Sequence, residues 1–245
     1  MDLLSIARGP ALKAALAIFF FGVTWRLVGI FLLRHNWQLS VGRAGTGASL
    51  QGALKSIFTF RRPRLSRPRR SPMESTADAA VAVGSRSWPH PPFVRRTLYG
   101  ETIGYLYHIG LALVVIFSAP HILVLKSFFG AGWPALPTPV ITIIAVLTLA
   151  LLFAALMRRL GSPVLRHLSN FDDYYSWSVV TLVFATGLMA HGHVGGPYQD
   201  VLAWHILSFD LLLAWFPFGK LMHAFFLTPS RAIAGYLLKR RGAPV

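Results

Sequence analysis

Apolar residues run through this chain in five long stretches, at 11–33, 102–125, 139–157, 174–190 and 201–227, separated by segments rich in Gly, Pro and charge. A helix rises about 1.5 Å per residue, so about 20 apolar residues cross a hydrocarbon core ~30 Å thick. The pattern therefore predicts an all-α polytopic membrane protein with five transmembrane helices. The breaks between stretches are explicit: Arg34, Lys126 ahead of GAGWPALPTP, Arg158 with Arg159, GHVGGP at 192–197, and Pro229. The first stretch holds Lys13 and Arg26 and lacks a small-residue cleavage pattern, so it reads as a retained helix in which Arg26 needs a partner. Composition agrees with a membrane location, since 54% of the 245 residues are hydrophobic and only 13% are charged.

The net charge of +16 has two possible partners, nucleic acid or an anionic membrane surface, and its distribution decides between them. The connections at 34–98 and 158–173 and the tail after Leu227 hold nineteen Lys and Arg. The alternate segments, before Lys13 inclusive, at 126–139 and at 191–200, hold three. Positive charge collects on the cytoplasmic side, so the N-terminus is expected outside and the C-terminus in the cytoplasm, with 34–98 a basic cytoplasmic loop of a single domain spanning 1–245. Within that loop, RRPRLSRPRRSP at 61–72 interleaves Arg with Pro and Ser and buries no core. Topology and anionic headgroups account for its charge, and no nucleic-acid partner is expected.

No cysteine occurs, so this chain ligates no iron–sulfur cluster, thiolate zinc or c-type haem. No Walker sequence, G-x-S-x-G, H-E-x-x-H or internal repeat is present, and no catalytic residue is assigned. Histidine carries what chemistry remains. Of nine, His108 and His121 lie in the second stretch and His205 and His223 in the fifth, whereas His35, His90 and His167 lie in polar segments and His191 and His193 in an outer loop. An imidazole in lipid needs a partner, either a hydrogen bond between helices or a metal. Applying the topology puts His121 and His205 near the outer surface and His108 and His223 near the cytoplasm. Antiparallel neighbours would then oppose His121 to His205 and His108 to His223, the arrangement that bis-His ligation of two b-type haems requires. On one continuous helix His205 and His223 are about five turns apart and share a face, ~27 Å apart along the axis. His108 and His121 leave a residual rotation of about 140° on an ideal helix, which Pro120 has to absorb by a kink.

The segments YLYHIGLALVVIFSAPH and WHILSFDLLLAWFPFGKLMH resemble the gamma subunit of respiratory nitrate reductase, a membrane dihaem cytochrome b. Its superfamily includes the cytochrome b subunits of membrane-bound heterodisulfide reductase and of the Dsr membrane complex. The resemblance covers all five helices and is most specific from His205 through Phe216, Pro217, Phe218 and Lys220 to His223. It implies one haem b between His108 and His223 on the cytoplasmic side and one between His121 and His205 on the outer side. It further implies quinone or quinol as the membrane substrate, a bacterial or archaeal cytoplasmic (inner) membrane, and an iron–sulfur partner subunit of molybdoenzyme or heterodisulfide-reductase type. Such a subunit transfers electrons without holding a complete active site. The long Arg-rich loop and the wide His108–His121 spacing point to a different soluble partner. Lys126 and His121 are candidates for the quinone oxygen, and Lys220 for a haem propionate. A proton relay through His121, His205 and Asp210, as in a transporter, is the competing reading, and a non-haem membrane anchor for a soluble complex is another; an odd helix count without inverted halves disfavours the transporter.

Overall fold

The computed structural model describes residues 2–29, 32, 45–58 and 91–242, and every regular element among them is helical. The helices are α1 (Leu3–Val28), α2 (Thr46–Phe58), α3 (Pro91–Phe117), α4 (Ala119–Phe129), α5 (Thr138–Gly161), α6 (Pro163–Leu168), α7 (Phe171–Gly192), α8 (Tyr198–Trp215) and α9 (His223–Arg240). Three of them are long and apolar enough to cross a membrane: α1, the Leu98–Phe117 part of α3, and α5; α8 with Lys220–Arg240, bent by 77°, makes a fourth if the pair is counted as one span. The 22-residue α7 falls short in apolarity because Ser176, Thr181 and Thr186 stand on its buried side. Packed between α5 and α8, it does not need an apolar surface all round.

Two apolar stretches are each broken into two helices. In the second stretch the break falls at Ser118, whose backbone is extended. Pro120 has no N–H to give to the carbonyl of Ile116 four residues back, so that carbonyl is free. The indole of Trp133 donates to it at 2.9 Å, and the N–H of Leu136 donates to the neighbouring Phe117 carbonyl at 3.1 Å. The 130–137 connection is thereby stapled to the break it follows. In the fifth stretch the expectation of one helix over 201–227 is corrected: the chain leaves the helix after Trp215, turns through a short 3₁₀ segment (Lys220–Met222) and restarts at His223, bent by 77°. Pro217 removes another ladder donor and is buried against Gly22 of α1, where a Cβ would lie 2.6 Å from the proline ring. Gly219 is also required, since a Cβ there would meet Trp215, Asp172 and Ser176.

The helices α3, α5, α7, α8 and α1 pack in that order, each on the next. Close contact between α3 and α5 depends on Gly110, over which Thr148 of α5 lies. Trp177 of α7 donates to the Leu152 carbonyl of α5 at 2.8 Å. Thr186 of α7 meets Ser208 of α8 at 2.9 Å. Among the described residues no packing of comparable extent joins α3 or α4 to α8 or α9, which leaves one open seam in the bundle. The 34–98 connection, expected as one basic loop, holds α2 at 46–58 and the first turns of α3; the Arg-rich run at 61–72 lies outside the described residues.

Candidate cofactor site between two helix pairs

The imidazoles meet across the open seam. His108 on α3 faces His223 at the start of α9, ring centroids 5.8 Å apart and planes at 88°. His121 on α4 faces His205 on α8, centroids 6.2 Å apart and planes at 24°. The two helix breaks make this possible. The interruption at Ser118 absorbs the rotation that separates His108 from His121 on a continuous helix, and the turn at 216–222 sets His223 independently of His205.

In all four rings Nδ1 is engaged. His108 donates from Nδ1 to the Gly104 carbonyl at 2.7 Å, His121 to the Val114 carbonyl at 3.2 Å, and His223 to the Lys220 carbonyl at 2.8 Å. A carbonyl only accepts, so the proton is on Nδ1 and the Nε2 lone pair is left for a ligand. His205 Nδ1 lies 3.3 Å from the Thr186 hydroxyl, which itself donates to the Leu182 carbonyl at 2.8 Å and so receives from the ring. Such an outer hydrogen bond on each ring is characteristic of metal-ligating histidine. Gly187 leaves room beside His205, because a Cβ there would lie 3.0 Å from its Cε1. Tyr107 stacks on His108 at 4.2 Å.

These observations fit a macrocyclic metal complex held from two sides. With metal–nitrogen bonds of about 2 Å and a ring centre ~1 Å further out, centroids ~6 Å apart would leave room for one metal ion bound by both rings of a couple. Among the described residues no three His, Asp or Glu side chains converge on one point. Each couple could supply two ligands to a metal whose remaining ligands come from a bound group such as a porphyrin. His108 and His223 are exposed, whereas His121 and His205 are half-buried.

A second cluster fixes the turn that carries His223. At the start of α7, Asp172 accepts the backbone N–H of Lys220 at 3.1 Å and the Ser176 hydroxyl at 2.7 Å, and Trp215 donates to that hydroxyl at 2.9 Å. Asp173 pairs with Arg159 of α5 at 2.9 Å and with the Lys220 ammonium, and accepts the N–H of Asn170 in a capping box. Burial raises the Asp173 carboxyl, but the hydrogen bonds from Lys220 and Asn170 and the Arg159 charge outweigh it and hold the group below the usual carboxylate range. Lys220, expected at a propionate, pairs with Asp173 of α7 in this structure.

Lys126 is exposed on α4, and no contact among the described residues brings it to His121. His191 takes a 2.9 Å hydrogen bond with Thr142, and His193, in the left-handed region at φ 52°, packs on Tyr198; both tie down the 192–197 connection. His167 is exposed on α6, and His35 and His90 lie outside the described residues. Arg26 finds its partner in Phe226, with its guanidinium 5.9 Å from the ring centroid. Asp210 is 6% exposed and neither carboxylate oxygen has a partner among the described residues. Sequence reasoning missed Thr186, Gly187 and the Asp172–Asp173 clamp; only the last left a readable signal, the Asn170-x-x-Asp173 capping spacing.

The fold and these couples define an all-helical protein with several helices of membrane-spanning character and a two-couple histidine site. No family model matches the chain, and no solved structure matches it. A protein of Nitratidesulfovibrio vulgaris, described only as "Protein", is 30% identical to it over 239 residues, covering 96% of this chain and 94% of its own length. The chain belongs to the same family as that protein.

Proposed function

We propose that the chain is a dihaem b-type membrane cytochrome subunit, a relative of the nitrate reductase gamma superfamily, that carries electrons between quinone on the outer side and an iron–sulfur protein at the cytoplasmic face of a bacterial or archaeal membrane. The observation that carries this reading is the pair of imidazole couples at 5.8 and 6.2 Å, every Nδ1 engaged, across a seam without helix packing. His108 with His223 would hold one haem b and His121 with His205 the other, and the groups when bound would supply reversible one-electron transfer at each end of the seam. The protein's part is to fix each ring. Gly104, Val114, Lys220 and Thr186 orient the four imidazoles through Nδ1.

In this reading α1, α3, α5, α7 and α8 are five crossings, with the N-terminus outside and the C-terminus cytoplasmic, which the nineteen-to-three distribution of Lys and Arg supports. A quinone oxygen would take its hydrogen bond from Lys126, since His121 engages the Val114 carbonyl through Nδ1 and would give Nε2 to the haem. With no cysteine, the next electron-transfer step at the cytoplasmic face needs an iron–sulfur subunit, of molybdoenzyme or heterodisulfide-reductase type. The proton-relay alternative has no link from His205 to Asp210, whose oxygens make no hydrogen bond among the described residues. Reduced-minus-oxidised spectra of His223→Ala and His205→Ala test the pairing. Each variant should lose one of two b-type components and keep the other; retention of both by either variant would overturn it.

A further inference from the structure

The helices α2 and α9 form an antiparallel hairpin. Gly52 lies against Gly235, where a Cβ on Gly52 would sit 2.8 Å from the Gly235 carbonyl oxygen. Ser56 donates to the Arg231 carbonyl at 2.6 Å and Arg231 Nε donates back to the Ser56 carbonyl at 2.8 Å. Two reciprocal bonds and glycine-to-backbone contact make the pair one unit, and Ser49 is buried within it. The first turn of α9 is held to the spanning α1 through Phe225, which meets Phe19 and Phe216 at 6.1 and 5.6 Å.

The direction of this unit follows from length and bend. With 18 residues, α8 rises about 27 Å and covers most of a hydrocarbon core. The chain then turns by 77°, so with α8 crossing the membrane α9 would run nearly along its plane. With 13 residues, α2 reaches about 20 Å, too short to cross. Leu50, Leu54 and Ile57 recur on one stripe of α2 at helical spacing, with Leu50 54% and Leu54 59% exposed, while Gln51 and Lys55 lie on another. The hairpin carries Lys55, Arg231, Lys239 and Arg240 and no acidic residue.

We propose that the α2–α9 hairpin lies in the headgroup layer of the bilayer that the other helices cross, with the Leu50–Leu54–Ile57 stripe in the acyl boundary and its cations on anionic lipid. An apolar stripe flanked by cations and continuous with a spanning helix is the chemistry of an interfacial helix. Each cation near an anionic surface contributes about a fivefold preference. The unit acts as a collar that fixes the height of the turn bearing His223 relative to the surface.

The absence of cysteine permits a direct test. Leu54→Cys and Gln51→Cys are nitroxide-labelled in the full chain and placed in vesicles of phosphatidylethanolamine with phosphatidylglycerol, and collision with oxygen is compared with collision with a water-soluble nickel chelate. The label at 54 should be oxygen-accessible and shielded from nickel by about fivefold relative to that at 51, and the difference should shrink in pure phosphatidylcholine. Leu50→Cys repeats the measurement if the first variant fails to fold. Equal nickel access at all positions, placing the hairpin in water, overturns the proposal, as does shielding of position 54 from both agents by a protein partner.

Discussion

At the residue scale the site depends on what holds each imidazole from behind. Thr186 is the one side chain among the four Nδ1 partners, so it is the one that substitution can remove. Thr186→Val should weaken cofactor retention at the His121/His205 couple by about 10–100-fold and leave the His108/His223 couple unchanged, as read by selective loss of one spectral component on dilution in detergent. Asp173 acts on His223 indirectly, by clamping Lys220, whose carbonyl holds the ring. Its carboxyl is held below the usual value, so the folded state gains from its ionised form. That gain is present above the ordinary carboxylate pKa of about 3.9 and disappears as pH falls through the lowered folded value. Thermal unfolding followed from pH 8 to pH 3 should therefore be insensitive to this group until the acid end, and Asp173→Asn should flatten that acid-side decline; an undiminished decline would exclude the clamp. The four histidines were legible in the sequence because a polar ring is conspicuous in an apolar stretch. Their backbone partners at Gly104, Val114 and Lys220 were not, because a carbonyl is common to every residue and only the fold selects it.

At the scale of elements, two proline-marked breaks do what a continuous helix cannot. The stretch at 102–125 predicts a helix with its histidines about 140° out of phase, and the extended Ser118 removes the difference. Pro120→Ala would restore a donor to the Ile116 carbonyl in competition with Trp133. A helix closed through that point turns His121 away from His205, so this variant should lose the pigment of that couple and keep that of His108/His223. Equal retention of both would locate the cause of the break elsewhere. The corresponding break at 216–222 was hidden in the sequence because hydrophobicity continues through Phe216, Phe218 and Leu221, although Pro217 and Gly219 mark it. A run of apolar residues reports burial or lipid, not continuity of the hydrogen-bond ladder. The α2 helix was hidden for the opposite reason: thirteen residues with three small contact positions fall below the length that signals a crossing, and what stabilises them is α9, 175 residues away between Ser56 and Arg231.

At the scale of the molecule, order along the chain and the alternation of charge were sufficient to bring the right helices to opposite sides of one seam. Chain direction alone sets His108 level with His223 and His121 level with His205, and the rings lie beside those neighbours. Count and limits of the crossings were less legible, because α7 hides polar residues on its buried side and α9 leaves the direction of α8. The proposed function requires that each histidine couple grip one porphyrin. Pyridine haemochrome analysis of the purified full chain, with protein quantified on the same sample, measures that directly. Two b-type haems per chain is the result the geometry predicts; a colourless preparation that retains its helical fold would contradict it.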